Sequence, residues 1–73
     1  FENVGLYNQS NSLLAIGTCA STNNSTGQNN ISIGGNAGRD NINGSNNILI
    51  GENAGLLSNS DGNIFIGKDT GIK

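Results

Sequence analysis

Asn46-Asn47-Ile48-Leu49-Ile50-Gly51-Glu52-Asn53-Ala54-Gly55 lies near the middle of the chain, and its pattern returns on both sides. Upstream, Asn29-Asn30-Ile31-Ser32-Ile33-Gly34-Gly35-Asn36-Ala37-Gly38 differs from it only at Ser32 and Gly35. Downstream, Gly62-Asn63-Ile64-Phe65-Ile66-Gly67-Lys68-Asp69-Thr70-Gly71 keeps one asparagine, both isoleucines and both glycines. A looser copy, Ser12 to Ser21, keeps an apolar pair (Leu14, Ile16), Gly17 and Ala20. Glycine to glycine, the steps are 17, 17 and 16 residues. A fixed period of this size belongs to chains that stack one supersecondary unit on the next.

Each column of the repeat has a chemical reading. Residues two apart in an extended chain share a face, so Ile31 pairs with Ile33, Ile48 with Ile50 and Ile64 with Ile66. β-branched residues suit a pleated, half-buried surface, and each phrase is expected to form a short strand with its isoleucines toward the core. Ala15, Ser32, Leu49 and Phe65 then point the other way. Gly17, Gly34, Gly51 and Gly67 close the strands at a corner that needs positive φ or close backbone approach. Ala20, Ala37, Ala54 and Thr70 read as inward fillers of that corner, and Gly38, Gly55 and Gly71 as a second bend. Each return segment is expected to hold a weaker strand followed by a turn, with Asn43-Gly44 and Asp61-Gly62 as turn dipeptides. Asn30, Asn47 and Asn63 share one column, and Asn36 and Asn53 another. Hydrogen-bonded ladders and simple tolerance of left-handed backbone both explain them.

The expected architecture is therefore all-β: a repetitive parallel β-roll or β-solenoid of about four 16–17-residue coils, at 12–28, 29–45, 46–61 and 62–73. Residues 1–11 fall outside the register and read as the end of a preceding coil or a cap. Glycines interrupt every window, and no apolar set recurs at helical spacing. Phe1 in place of a methionine suggests a segment cut from something longer.

Composition narrows the function. The chain has 15 Asn, 12 Gly and eight Ser; it is 33% hydrophobic and 11% charged, with a net charge of −2. No basic face exists to attract nucleic acid or an acidic membrane, so neither is expected as a partner. No stretch is apolar enough for membrane insertion. With histidine absent, the lone Cys19 has no imidazole base; it reads as a small side chain tucked under a turn. Glu2, Asp40, Glu52, Asp61 and Asp69 recur at no metal-ligand spacing. No enzymatic activity, catalytic residue, cofactor or metal is expected.

Each coil holds little apolar volume, so burial has to be completed by other copies of the chain. Leu49 and Phe65, opposite the expected core isoleucines, are the candidate contacts of a homotrimer. The structural repeat itself is carried by Ile16, Gly17, Ile31, Ile33, Gly34, Ile48, Ile50, Gly51, Ile64, Ile66 and Gly67.

The phrase Asn-x-(Ile/Leu)-x-Ile-Gly-x-x-Ala-Gly resembles the YadA-like head repeats of trimeric autotransporter adhesins. It is similar also to Asn- and Gly-rich repeats of bacteriophage tail fibres and other fibrous surface proteins. The resemblance covers about residues 12 to 73 and rests on Ile16-Gly17, Ile33-Gly34, Ile50-Gly51 and Ile66-Gly67. It implies trimerisation, an extracellular place on a bacterial surface or virion tail fibre, and attachment to a cell surface or surface glycan by multivalent presentation. Head repeats of that group are usually shorter, so a wider cross-section or an extra turn is implied here. Two other roles fit the repeat. One is a structural spacer whose binding tip lies elsewhere. The other is an ice-binding β-solenoid, for which the expected Thr-x-Thr column is missing from Thr18, Thr22, Thr26 and Thr70.

Overall fold

A computed structural model describes Val4 and residues 12–72 of the 73-residue chain. The assignment of 1–11 as a preceding coil or cap lies outside the described residues, Val4 excepted.

Four short strands form, one per phrase: β1 (Leu13–Ile16), β2 (Asn30–Ile33), β3 (Ile48–Ile50) and β4 (Ile64–Ile66). They make a single parallel sheet in the order β1-β2-β3-β4. No helix occurs among the described residues. The register is that of the repeat: Leu14 sits beside Ile31, Ile31 beside Ile48, and Ile48 beside Ile64. Parallel neighbours in one sheet require a long crossover, and here each repeat supplies its own.

The crossovers follow one another without becoming strands. Ser21 N–H donates to Ala37 C=O at 2.9 Å, Gly38 N–H to Ala54 C=O at 2.8 Å and Gly55 N–H to Thr70 C=O at 2.7 Å. Further round, Asn23 N–H donates to Arg39 C=O and Asp40 N–H to Leu56 C=O, both at 2.9 Å. The weaker return strand expected in each repeat does not form: segments 21–28, 39–45 and 56–61 run as turns, bends and irregular chain. Glycine and asparagine in these segments break the alternation that a strand requires. Their backbone groups are nevertheless satisfied from one repeat to the next.

The corner glycines meet both expected conditions. Gly34 and Gly51 have φ of +128°, and a Cβ on Gly34 would lie 2.6 Å from the Gly51 carbonyl carbon. Only hydrogen fits where one corner lies directly on the next.

The strand faces are reversed from the sequence expectation. Leu49 is 1% exposed, and Ser32 and Asn30 are buried, whereas the isoleucines on either side are half-buried or exposed. Phe65 lies half-buried on the same inner side, its ring against Gly71. Leu49 and Phe65 are thus interior residues of this chain and not outward contacts. The physical cause is width. The interior is lined by Ala20, Ala37 and Ala54, all fully buried, with Ser21, Thr22, Asn24, Asn41 and Asn47. A space lined this closely takes Ser32 or Leu49 beside an asparagine whose amide is tied to backbone, and leaves no room for two isoleucines from each strand.

Candidate interaction face

Two columns of aliphatic side chains cover the outer side of the sheet. One is Leu14, Ile31, Ile48 and Ile64; the other is Ile16, Ile33, Ile50 and Ile66. With strands about 4.8 Å apart and residues i and i+2 about 7 Å apart, the eight side chains tile roughly 14 by 7 Å between column ends. None carries charge. Exposure is 49% at Leu14, 39% at Ile16, 67% at Ile64 and 63% at Ile66, with the middle two strands shielded by their neighbours. An uncharged apolar strip with polar surroundings is a candidate place of contact. The structural-repeat residues are therefore where their register places them, and the isoleucines among them form the outer face. Leu14, which lies in register with Ile31, completes the first column.

Polar side chains at the corners are largely engaged with one another. Asn36 Nδ2 donates to Asn53 Oδ1 at 3.1 Å, and Asn53 Nδ2 donates to Asp69 Oδ1 at 2.9 Å. These three residues have φ of 60–61°, so left-handed backbone and ladder formation coincide in one column. Cys19, at φ 61°, occupies the same column in the first repeat; it is half-buried at the corner and not tucked beneath it. Thr26 Oγ1 donates to Asn43 Oδ1 at 2.6 Å, and Asn43 N–H donates to Asn59 Oδ1 at 2.6 Å.

The inner asparagine column works differently. Asn30 Oδ1 accepts from Asn47 N–H at 3.0 Å, and Asn47 Oδ1 accepts from Asn63 N–H at 2.8 Å. Asn30 Nδ2 donates to Gly44 C=O at 2.8 Å, and Asn47 Nδ2 to Ser60 C=O at 2.9 Å. Each buried amide thus ties the start of the next repeat's strand and the loop before it. Buried polar groups demand such partners.

Among the described residues, Asp40 is the carboxylate held by several partners. Asn23 Nδ2 donates to its Oδ1 at 2.5 Å, and Arg39 Nη2 to its Oδ2 at 3.1 Å. Partial burial pushes its pKa up, but the bonds from Asn23 and Arg39 and the guanidinium charge outweigh that and hold it below the ordinary value. Lys68 and Glu52 form an exposed pair at 3.6 Å, of little energetic weight. Among the described residues no three Cys, Asp or Glu side chains gather, and no pocket opens. No described helix is long and apolar enough to cross a membrane.

Comparison with protein-family models, with curated proteins and with solved structures finds no match to this chain in any of the three. What defines the molecule is a four-stranded parallel sheet with an uncharged aliphatic outer face and amide-tied corners.

Proposed function

We propose that this chain is a β-solenoid segment of a homotrimeric extracellular fibre, an adhesin head or tail-fibre shaft, whose copies pack through the outer isoleucine columns. The observation that carries the reading is the eight-residue aliphatic face, in register over all four strands and free of charge. The trimer contact thus moves from Leu49 and Phe65 to Ile31, Ile33, Ile48, Ile50 and their column neighbours. Each fully buried isoleucine contributes about 1.5–3 kcal/mol, so covering the open half of each adds about 1 kcal/mol. A strip only two side chains wide has sides as well as a front. Three strips around a threefold axis let each copy contact both others, closing the symmetry with no face left over.

Function would then come from repetition. Three chains present the same corner groups, and avidity substitutes for tight single-site affinity toward a surface glycan or similar polymer. The spacer reading is favoured by one specific observation: the corner amides of Asn36 and Asn53 are already used between repeats. Binding of the trimer to a glycan array separates the two, since a spacer gives no selective signal.

Sedimentation equilibrium at micromolar concentration tests the assembly. Three times the chain mass is expected, falling to the single-chain mass when Ile33 and Ile50 are both replaced by Asp. A folded wild-type monomer would refute the proposal.

A further inference from the structure

We propose that Asn43-Gly44 is a latent self-modification site. Its amide is kept intact while the coils are stacked, and it converts to aspartate and isoaspartate once the stack opens. The chemistry is intramolecular and consumes only water, so this inference does not rest on the trimer.

An asparagine followed by glycine is exposed to attack by its own backbone, because glycine has no Cβ to screen its N–H. This chain has a single such step. The Gly44 nitrogen loses its proton to solvent and bonds to Asn43 Cγ; the Cγ–Nδ2 bond breaks and ammonia leaves. Water then opens the five-membered imide at either carbonyl, giving aspartate or isoaspartate. Attack needs the nitrogen free and aligned with the side-chain carbon at roughly 3–3.5 Å.

Four hydrogen bonds work against that alignment. Gly44 N–H donates to Asn41 Oδ1 at 3.1 Å, and Gly44 C=O accepts from Asn30 Nδ2 at 2.8 Å. Asn43 N–H donates to Asn59 Oδ1, and Asn43 Oδ1 accepts from Thr26 Oγ1, both at 2.6 Å. The attacking nitrogen is engaged, and the amide it would attack is anchored by its oxygen. Asn43 is exposed, so solvent reaches it and protection comes from the pinning. Thr26, Asn30, Asn41 and Asn59 belong to three successive coils. The clamp therefore exists only while those coils are in register.

Isoaspartate routes the main chain through the former side chain and lengthens it by one carbon. Gly44 is buried, and a Cβ built on it would strike Asn41 Oδ1 and the Ser60 carbonyl. A displaced Gly44 has no room there, so the isoaspartyl turn cannot be restacked. An opening that outlasts the chemistry becomes permanent.

The test incubates the 73-residue chain, shown to be folded by circular dichroism, in mildly alkaline buffer with and without urea. Mass spectrometry of proteolytic peptides follows conversion at each asparagine. In denaturing urea Asn43 should convert first. In native buffer its rate should be at least about tenfold lower, rising in sub-denaturing urea in step with the open fraction. Thr26→Val removes the bond to Asn43 Oδ1 and should raise the native rate while leaving the rate in urea unchanged. If that variant fails to fold, the parent in graded urea decides alone. The isoaspartyl product, separated by chromatography, should not regain the parent's thermal transition. Four results would overturn the proposal: equal rates at Asn43 in native buffer and urea, faster conversion of another asparagine in urea, an unchanged native rate in folded Thr26→Val, or an isoaspartyl product that refolds as the parent does.

Discussion

A Cβ atom on Gly55 would lie 2.8 Å from Leu49 Cδ2, so the leucine occupies the space that any larger residue at 55 would need. The pairing recurs. A Cβ on Gly38 would lie 2.7 Å from Leu49 Cδ1 and 2.9 Å from Ser32 Oγ, and one on Gly71 would strike the Phe65 ring. In the first repeat, where Ala15 stands inward, the same bend carries Ser21 instead of glycine, and Ser21 Oγ donates to Ser32 Oγ at 2.7 Å. Inward residue and bend residue are fitted in volume to one another.

That fit predicts non-additive mutations. Leu49→Ala should cost about 2–5 kcal/mol, as core truncations do. Gly55→Ala should cost about 2–4 kcal/mol, combining a left-handed backbone with overpacking. In the double variant the alanine methyl enters space the leucine has left. Chemical unfolding of all four proteins should show the double change costing clearly less than the two single costs added.

The corner column makes a sharper contrast between two glycines. Gly51→Ala places a methyl 2.7 Å from Gly67 backbone at φ +128°, and thermal unfolding should show loss of at least about 3 kcal/mol. Gly62, with φ +70°, has nothing within 4 Å of its Cβ position, and Asn29 and Asn46 hold its column at φ 60–61°. Gly62→Asn should therefore change stability by less than about 1 kcal/mol.

Asn47→Leu, though similar in size, should be strongly destabilising. It strands the Asn63 N–H and the Ser60 C=O, each now paired with the buried amide. Unsatisfied buried groups cost about 1–3 kcal/mol apiece, and urea denaturation is the direct measure. A change below about 1 kcal/mol would mean that water takes over both roles.

Cys19→Asn should extend the amide ladder. Cys19 already has the φ of 61° that Asn36 and Asn53 share, and an amide there can donate to Asn36 Oδ1. One net hydrogen bond, about 0.5–1.5 kcal/mol, is the expected gain in thermal unfolding. Cys19→Val, a β-branched residue at the same left-handed position, should lose stability instead.

Acid should weaken the second turn through Asp40. Its pKa is held below the ordinary value in the fold, so its contribution is complete above the unfolded value and is lost as pH falls through the folded one. Stability measured from neutral pH into the acid range should decline less steeply in Asp40→Asn than in the parent.

The return strands expected in each repeat did not form, whereas the period, the four strands of the repeat phrase, the glycine corners and the alanine fillers were legible in the chain. Each follows from local rules: which residues alternate, which accept positive φ, which are small enough for a bend. Which face of the strand turns inward was not legible, because a period of two says only that Ile48 and Ile50 share a side opposite Leu49. β-branched pairs argued for an isoleucine core, and a signal against it lay in the neighbouring columns. Asn30 and Ser32 share the face of Leu49, and the bend is glycine wherever the inward residue is larger than Ala15. Only the closed tertiary structure, with an interior too narrow for two isoleucines per strand, decided the matter and left the aliphatic columns outside.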